Sequence, residues 1–392
     1  MIFSVAIIGL GRAGGRFLRA FLHRQQNIGD VRITAVCDPN PARAEILRRH
    51  GIKTYNDVRE LLKAGKYDII VIATNEDSHF QILSLISGTG VSFRRIIMEK
   101  PLVETMEQAG LIKKMFTETD IAVHFVERHS PIVNNFLDWK AENGLEINRA
   151  AFFWGKYRLH DSRPTIGVTT EISHALDCVA MLAGISPGTP FEILQGSYIR
   201  SDFSFSGSAL LDTINMTVRF GGNLIIDGNS SFLWEKRERR IILYLSNHEH
   251  LVTHMAALIF DNPYWDLDTC VINKADSMEG IPKLVRKWKV LRKDIDPNTF
   301  CISKTLQFLE ENVSELKGGP ESPRLARLGQ ACYIQEILEA LIKDASRSDV
   351  NTSIFGASDV KPLQWAETEM LLGHYLAGNY TVSDVVKWDS GY

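Results

Sequence analysis

The stretch Ile7-Ile8-Gly9-Leu10-Gly11-Arg12-Ala13-Gly14 decides the fold of the first part of this chain. An unbroken apolar run, residues 3–8, leads into it and is typical of a strand buried on both faces. The glycines then follow the G-x-G-x-x-G spacing, and a helix is expected over about residues 14–23. In this pattern the first glycine permits a tight turn, the second lets the backbone approach a pyrophosphate, and the third lets the helix pack close to the strand. The spacing therefore predicts a dinucleotide site at the helix N-terminus.

The alternation of short apolar runs and amphipathic stretches continues to about residue 125. Further strands are predicted at residues 32–37, 69–73, 95–98 and 121–125, and further helices at residues 41–50, 58–62, 77–86 and 106–116. Strands and helices that alternate at this spacing form a doubly wound parallel sheet. Residues 1–126 are therefore expected to be a Rossmann domain.

The hydrophobic pattern changes in the second part of the chain, where residues 210–220 largely alternate apolar and polar side chains. This period of two predicts a strand with one buried face, the other face being polar or covered by a partner. Further strands are expected at residues 223–227, 230–233 and 241–245, a solvated hairpin tip at residues 236–240, and helices at residues 300–316 and 324–343. The predicted fold class is α/β: an N-terminal Rossmann sheet, then a C-terminal α/β domain (127–392) with a large, mostly antiparallel open sheet. Residues 346–392 are expected to be a C-terminal extension, polar at first and helical near residues 364–377.

Length, charge and cysteine content exclude several classes of protein. The 392 residues predict two domains, or at most three, since single cores rarely grow past about 250–300 residues. Lys and Arg number 44 and Asp and Glu 47, a near balance that gives no attraction to nucleic acid or to an anionic membrane. No apolar run reaches the ~20 residues of a membrane span, and the five scattered cysteines fit neither a disulfide framework nor a zinc site. We expect a soluble, cytoplasmic protein with no bound metal.

An acidic residue, Asp38, ends the second predicted strand. An acid at this position typically accepts hydrogen bonds from the adenosine ribose hydroxyls. Asp38 therefore favours NAD, because its charge would repel the 2′-phosphate of NADP; Arg12 and Arg43 are near enough in sequence to keep NADP as the alternative. Two more polar segments follow strands of the same sheet, at the edge where ligands bind in open α/β folds. The predicted cofactor-binding residues are Gly9, Gly11, Arg12, Ala13, Gly14, Asp38, Thr74, Asn75, His79, Glu99 and Lys100.

A second group of candidate residues lies in the segment from Gly167 to Asp177. Glu171, His174 and Asp177 are three positions apart, so on a helix they share one side. A histidine between two carboxylates is suited to proton transfer near neutral pH, although a core histidine is an equally good interpretation. Lys100 is similarly open from the residues alone, either as an ion-pair partner or as a functional group tuned by burial.

Taken in order, these motifs resemble those of the Gfo/Idh/MocA family of glucose–fructose oxidoreductase and inositol dehydrogenase-like enzymes. The motifs are the glycine turn, Asp38, Ala73-Thr74-Asn75 followed by His79, Glu99-Lys100-Pro101, and His174-x-x-Asp177. The resemblance covers about residues 3–345. It implies NAD(P)-dependent oxidation or reduction of a sugar or cyclitol at a secondary alcohol. It also implies a homodimer or homotetramer assembled through the open sheet.

The resemblance further implies roles for individual residues. Lys100 matches the active-site lysine, which holds the reacting oxygen, and His174 matches the catalytic histidine, which acts as general base. Asp177 would orient His174 or bind a hydroxyl, and Glu171 stands where the family usually has an aspartate. The Lys100-Pro101 bond is expected to be cis. Substrate contacts are expected from Lys100, Arg128, Arg158, His160, Arg163, Glu171 and His174.

Two features qualify this assignment. Many family members read Asn-x-Arg before a proline, whereas this chain reads Val126-Glu127-Arg128. The basic set Lys156, Arg158, His160 and Arg163 either is solvated or holds hydroxyls or an anionic group of the substrate. Two rival functions also remain: a glycosidase or lyase that uses transient oxidation by NAD, and a non-enzymatic regulator that senses sugar and dinucleotide.

Overall fold

The computed structural model describes residues 1–158, 165–201, 210–221, 224–249, 251–274 and 283–350. These residues form two units. The first contains Met1–Val126 and Ile295–Gln335, and the second contains Glu127–Asp294 and the described residues from Glu336 onward.

Strands and helices alternate through residues 1–126, as the apolar runs indicate. In chain order they are β1 (Phe3–Ile8), α1 (Arg12–Asn27), β2 (Val31–Cys37), α2 (Pro41–Arg49), β3 (Lys53–Tyr55), α3 (Val58–Ala64), β4 (Ile69–Ile72), α4 (His79–Thr89), β5 (Arg95–Met98), α5 (Met106–Met115) and β6 (Ile121–Val123). Every strand that the sequence predicts here is present, and β3 is an additional short strand. The capping residue of α5 is Thr105, whose side chain accepts a hydrogen bond from the Gln108 backbone N–H.

The elements after residue 126 include longer strands. They are α6 (Pro131–Glu142), β7 (Glu146–Tyr157), α7 (Thr169–Ala183), β8 (Phe191–Ser201), β9 (Leu210–Phe220), β10 (Leu224–Ser231), β11 (Leu233–Ser246), β12 (Val252–Ile259), β13 (Thr269–Lys274), β14 (Lys283–Lys289), α8 (Ser303–Leu316), β15 (Ala326–Arg327), α9 (Leu328–Asp344) and β16 (Ser346–Val350).

The sheet of the first unit has the strand order β15-β6-β5-β4-β1-β2-β3. Its strands are parallel except for β15, which pairs antiparallel with β6. The chain runs outward from β1 to β3 and then returns to β4 on the other side of β1. The crevice at the carboxyl ends of β1 and β4 is therefore the topological switch point, where open α/β sheets bind their ligands.

Helix α8 belongs to the first unit, although the sequence assigned residues 127–392 to the second domain. Its Asn312 accepts a hydrogen bond from Arg95 of β5 at 3.0 Å, and its Phe308 ring lies 6.5 Å from that of Phe17 in α1. The chain thus returns to the first unit through contacts that are more than 200 residues apart in sequence, and local pattern does not reveal such contacts.

Among the described residues, the sheet of the second unit has nine strands in the order β14-β13-β12-β11-β7-β10-β9-β8-β16. Its neighbouring strands are antiparallel except for the pairs β7–β10 and β8–β16, which confirms the mostly antiparallel sheet. Strand β9 has the predicted alternation, with Val218 buried and Asn215 exposed. Helix α7 packs against β7, β10 and β11.

Two sequence predictions are corrected in this unit. Residues 236–240 are part of β11 rather than a hairpin tip, because Arg239 and Arg240 pair with Trp154 and Phe153 of β7. The start of the predicted C-terminal extension is strand β16, which pairs with β8. The helical segment predicted near residues 364–377 lies outside the described residues.

Candidate functional site

The glycine turn after β1 has the geometry that its spacing predicts. Gly9 has a φ of +90°, and a Cβ there would lie 2.6 Å from the carbonyl oxygen of Ala73. A Cβ on Gly14 would lie 1.9 Å from the carbonyl oxygen of Gly9. A Cβ on Gly11, in contrast, would meet no atom of the described residues within 4 Å. Packing therefore requires glycine at positions 9 and 14. Gly11 leaves open the space beside the N-terminus of α1, where a phosphate would be held.

Asp38 at the end of β2 is tied to this turn. Its carboxylate accepts hydrogen bonds from the backbone N–H of Leu10 at 2.8 Å and of Asn40 at 2.9 Å. The Arg43 guanidinium lies 3.4 Å from the same carboxylate. Asp38 therefore holds the glycine turn in place, a role that the sequence did not indicate, and Arg43 offsets part of its charge.

His79 connects the two polar segments at the carboxyl ends of β4 and β5. Its Nδ1 lies 2.8 Å from the carbonyl oxygen of Pro101, and its Nε2 lies 3.3 Å from that of Thr74. Burial lowers the pKa of His79, so the ring is neutral. Because the side chain is fully buried, we interpret His79 as a support for the Thr74 and Lys100 segments rather than as a direct cofactor ligand. The Lys100-Pro101 bond is cis, as the resemblance implied.

Glu99 is a partly buried anion immediately before Lys100. Burial opposes its charge, but the hydrogen bond and charge of His124, together with the charges of Lys100 and Arg16, lower the pKa of Glu99 to about 2. The Glu99 Oε1 to His124 Nδ1 distance is 3.0 Å. The His124 ring in turn lies 4.8 Å from the rings of Phe17 and Phe308. Glu99 therefore stays ionised and fixes a negative charge next to Lys100.

In the second unit, helix α7 carries the three residues that the sequence placed on one side of a helix. His174 is buried, and its Nδ1 lies 2.7 Å from Oε2 of Glu127. The His174 ring stacks on the indole of Trp154, with a centroid distance of 6.3 Å and an interplanar angle of 21°. The ring is thus held at its edge by a carboxylate and on its face by an aromatic side chain.

Asp177, on the same helix, has Arg128 as an ion-pair partner. Its two carboxylate oxygens accept hydrogen bonds from Nε and Nη2 of Arg128, both at 2.6 Å. The short helical turn Val126–His129 presents neighbouring residues to α7, so that Glu127 reaches His174 and Arg128 reaches Asp177. Helical spacing identifies which residues share a side, but not which tertiary partner each one meets.

Arg239 of β11 is the main residue of this site that sequence reasoning missed. Its guanidinium lies 3.0 Å from Glu127, 2.8 Å from Asp261 and 3.2 Å from Glu171. Burial opposes the charge of Arg239, but Glu171, Glu127 and Asp261 raise its pKa above the usual value. The prediction of a solvated tip was therefore wrong. In a strand, Arg239 lies on the same face as the buried apolar residues 241, 243 and 245, because successive members of this set are two positions apart. The sequence therefore carried a signal that Arg239 is buried.

Glu171 is shared between two cations. Its Oε1 lies 2.6 Å from Nζ of Lys156, and its Oε2 is the atom that contacts Arg239. Lys156 and Arg158 both lie over the ring of Phe232, at 5.4 and 5.1 Å from its centroid. The predicted substrate contacts His160 and Arg163 lie outside the described residues.

Metal ligands and membrane-spanning helices are both absent from the described part of the chain. Within it, no set of three or more His, Cys, Asp or Glu side chains is arranged to bind a metal ion. None of the described helices combines the length and apolar character that crossing a membrane requires.

Comparison with known proteins supports the first unit most directly. Residues 3–126 match the family model GFO_IDH_MocA, described as an oxidoreductase family with an NAD-binding Rossmann fold. The chain is 34% identical to the rhizopine catabolism protein MocA of Rhizobium meliloti over 107 residues, which are 27% of this chain and 32% of that protein. It is 27% identical to an inositol 2-dehydrogenase/D-chiro-inositol 3-dehydrogenase of Lactiplantibacillus plantarum over 135 residues, 33% and 37% of the two chains. The matches thus span about a third of each relative.

Solved structures extend the likeness to both units. A levoglucosan dehydrogenase in complex with NADH and levoglucosan has a TM-score of 0.67 at 16% identity, over 88% of this chain and 97% of that one. KijD10, a 3-ketoreductase from Actinomadura kijaniata in complex with NADP and TDP-benzene, has a TM-score of 0.67 at 14% identity, over 89% and 100%. At these identities the likeness shows a shared fold. Residues 3–126 therefore match the model of the Gfo/Idh/MocA oxidoreductase family and its NAD-binding Rossmann fold.

Proposed function

We propose that the protein is an NAD(P)-dependent oxidoreductase that transfers a hydride between nicotinamide and a secondary alcohol or ketone of a sugar, cyclitol or sugar derivative. The observation that carries the proposal is the glycine turn of the matched domain, in which Gly11 leaves space beside the N-terminus of α1. The residues fit a dinucleotide, because the backbone N–H groups of the turn and the helix dipole favour a pyrophosphate.

Three residues of the chain have separate roles in the proposed reaction: His174, Lys100 and Glu171. The bound nicotinamide supplies the hydride acceptor. His174 removes the hydroxyl proton of the alcohol, and Lys100 donates a hydrogen bond to the reacting oxygen. Glu171 lies one helical turn before His174 and pairs with Lys156, so this ion pair is placed to bind a neighbouring hydroxyl. These roles extend the family resemblance to this chain, and the buried histidine with its carboxylate partner supports them.

We further propose that the enzyme prefers NAD to NADP, because Asp38 places a carboxylate at the ribose end of the glycine turn. Arg43 lies 3.4 Å from that carboxylate, so the preference is expected to be modest. Replacing Asp38 by Ala should weaken NAD binding by about 1–2 kcal/mol, the scale of a charge-assisted hydrogen bond. Wild-type protein that binds NADP more tightly than NAD would contradict the preference.

We also propose a cytoplasmic homodimer or homotetramer. All five cysteines are buried thiols, which suits a reducing compartment. On the central strand β7, Phe153 is 40% exposed while its neighbours Phe152 and Trp154 are buried. An exposed aromatic ring in the middle of a sheet face favours a closed symmetric assembly through that face. Light scattering of Phe153→Asp, compared with wild-type protein at micromolar concentration, tests the assembly: monomeric wild-type protein would contradict it.

The central test is incubation of the purified protein with NAD and a panel of sugars and cyclitols. Net formation of NADH supports the proposed oxidoreductase. Cleavage of a glycoside without net NADH would indicate the transient-oxidation alternative, and binding without turnover would indicate a sensor. Lys100→Met and His174→Ala should each lower turnover by about 10²–10⁴-fold, while NAD binding remains. The double variant should be little worse than the slower single one, because residues of one catalytic unit are non-additive.

A further inference from the structure

We propose that Glu127 is the positioning residue for His174, holding the imidazole with its proton on Nδ1 and leaving Nε2 to accept the substrate proton. This inference rests on the proposed function, in which His174 is the general base. Glu127 directly follows Val126, the position where many members of the family have an asparagine.

The contact between the two side chains is short and buried. Oε2 of Glu127 lies 2.7 Å from Nδ1 of His174, and the exposed fractions of the two residues are 1% and 5%. A carboxylate accepts hydrogen bonds and does not donate them, so the ring nitrogen facing it carries the proton. The indole of Trp154 stacks on the face of the ring, and the Glu127 carboxylate lies within ion-pair distance of Nδ1.

Glu127 is itself held in position. Its second oxygen, Oε1, lies 3.0 Å from Nη1 of Arg239. The same guanidinium contacts Glu171, which is on the same helix as His174, and Asp261, which follows β12. Rotation of Glu127 away from His174 would therefore separate a buried ion pair. The arrangement ties the orientation of His174 to three elements of the second unit.

Asp177, which was predicted to orient His174 or to bind a hydroxyl, is paired with Arg128. Both of its oxygens accept hydrogen bonds from Arg128. The Glu127 carboxylate, in contrast, lies at ion-pair distance from His174. Glu127 and Asp177 thus have separate partners, and a substitution can distinguish their effects.

The proton balance of the step is simple. The alcohol O–H bond breaks and its proton goes to Nε2 of His174, while the carbinol C–H bond delivers a hydride to the nicotinamide and the C–O bond becomes a carbonyl. The Nδ1 proton stays on the ring and remains shared with Glu127. The imidazolium that forms is stabilised by the adjacent carboxylate, which favours the charged ring.

Several charged groups surround the pair and bear on its titration. In the described part of the chain they are Glu127, Glu171, Asp261, Arg239 and Lys156 in one chain of contacts, with Arg128 and Asp177 paired beside it and Asp268 hydrogen-bonded to Ser130. Removing the charge of Glu127 leaves the other charged groups in place. The charged form of His174 then loses its nearest carboxylate.

The first experiment needs no substrate. Nitrogen-15 NMR of the full chain, labelled at its histidine rings, identifies which ring nitrogen carries the proton, and His174→Gln assigns the signal by its loss. We expect Nδ1 of His174 to be protonated at high pH in the wild-type protein. A ring protonated on Nε2 instead would overturn the proposal, whether or not the enzyme turns over a sugar.

The second experiment compares Glu127→Gln with Glu315→Gln. Glu315 is a buried carboxylate of the first unit that pairs with Arg95 at 3.2 Å, so it controls for loss of a buried charge. For Glu127→Gln we expect kcat to fall by about 10–100-fold and the acidic limb of the pH profile to move to lower pH, because the protonated ring is less favoured. For Glu315→Gln we expect a lower unfolding temperature and an unmoved acidic limb.

The outcomes separate this inference from the proposed function. Turnover by the wild-type enzyme with no shift of the acidic limb in Glu127→Gln would overturn the role of Glu127 alone. A ring protonated on Nδ1 in a protein that oxidises no sugar or cyclitol would support the pairing and contradict the proposed reaction. If Glu127→Gln does not fold, the NMR measurement on the wild-type protein decides the question.

Discussion

Replacement of Arg239 by Met gives the most direct test of the buried charge network in the second unit. Arg239 is 5% exposed and contacts three carboxylates, those of Glu127, Glu171 and Asp261. Methionine fills part of the same volume but leaves the three acids without their shared cation. Breaking a buried ion pair by removing one partner costs about 3–5 kcal/mol, because the remaining charge is uncompensated.

This magnitude sets the expected shift in unfolding temperature. For a folding unit of about 150–250 residues, each 1 kcal/mol lowers the midpoint by about 2–4 °C, so Arg239→Met should lower it by about 6–20 °C. Lys156 remains beside Glu171 and relieves part of the charge, which places the expectation toward the lower end of this range. The loss should be smaller at acidic pH, where the three acids can take up protons.

The assay is thermal unfolding followed by tryptophan fluorescence. Trp154 and Trp265 lie 5.4 and 4.9 Å from the Arg239 guanidinium, so their emission reports on this region. The matched control is Arg219→Met, because Arg219 pairs with Glu192 at 3.1 Å with both side chains more than 40% exposed. Such a surface pair is worth about 0–1 kcal/mol. Equal and small losses in the two variants would refute the idea that Arg239 compensates buried acids.

Two further predictions concern the first unit. His124→Phe should make the protein lose stability at a higher pH on acidification, because the pKa of Glu99 is lowered from 4.5 to about 2 mainly through His124. The ionised Glu99 stabilises the fold by about 3 kcal/mol above about pH 4.5, and this contribution disappears as the pH falls toward 2. Acid titrations of the wild-type protein and the variant, monitored by circular dichroism, measure the difference. Coincident titration curves would contradict the prediction. Gly11→Ala should weaken NAD binding more than tenfold and leave the unfolding temperature unchanged, since its Cβ would meet no atom of the described residues within 4 Å. Gly14→Ala should instead be destabilised. Calorimetry of both variants checks this contrast, and unaltered NAD binding by Gly11→Ala would contradict it.

The first unit was largely predictable because its signals are local. Strands such as β4 and β5 are short runs in which every residue is buried, and glycines at fixed spacing fix the turn between β1 and α1. Asp38 was also placed correctly at the end of β2, though its hydrogen bond to Leu10 depends on how the turn folds back. That contact joins residues 28 positions apart, beyond the reach of a periodicity argument.

The second unit was less predictable because its strands do not carry one clear pattern. Strand β14 is exposed and rich in lysine, as edge strands often are, so it has no apolar period to detect. Strand β11 contains the charged run 235–240 between Leu233-Trp234 and the apolar residues from Ile241 onward, and residues 236–240 of this run were therefore mistaken for a turn. The sheet partner of each strand, rather than its own sequence, decides which of these side chains are buried.

The partners of His174 explain most of what sequence reasoning missed at the site. Glu127 and Arg239 are 47 and 65 positions away in the sequence, and Arg239 contacts Glu127 across 112 positions. A helical spacing rule reports neighbours within one helix and so selected Asp177. The tertiary fold instead brings a short helical turn and a strand to the same face of α7.

The cost of burying these charges is itself an argument about their purpose. Transfer of several acids and cations from water into a protein interior is seldom more stabilising than apolar packing of similar volume. An apolar side chain would also fit the surroundings of Arg239, since Trp154 and Ile241 lie on the same buried face of the sheet. The charged residues thus stabilise the fold no more than apolar side chains such as leucine would. They do place a carboxylate beside the ring of His174, so the function of that histidine explains the network better than stability does. We therefore expect variants that replace the whole set of Glu127, Arg239 and Asp261 by apolar residues to fold at least as stably as wild-type protein and to lose turnover.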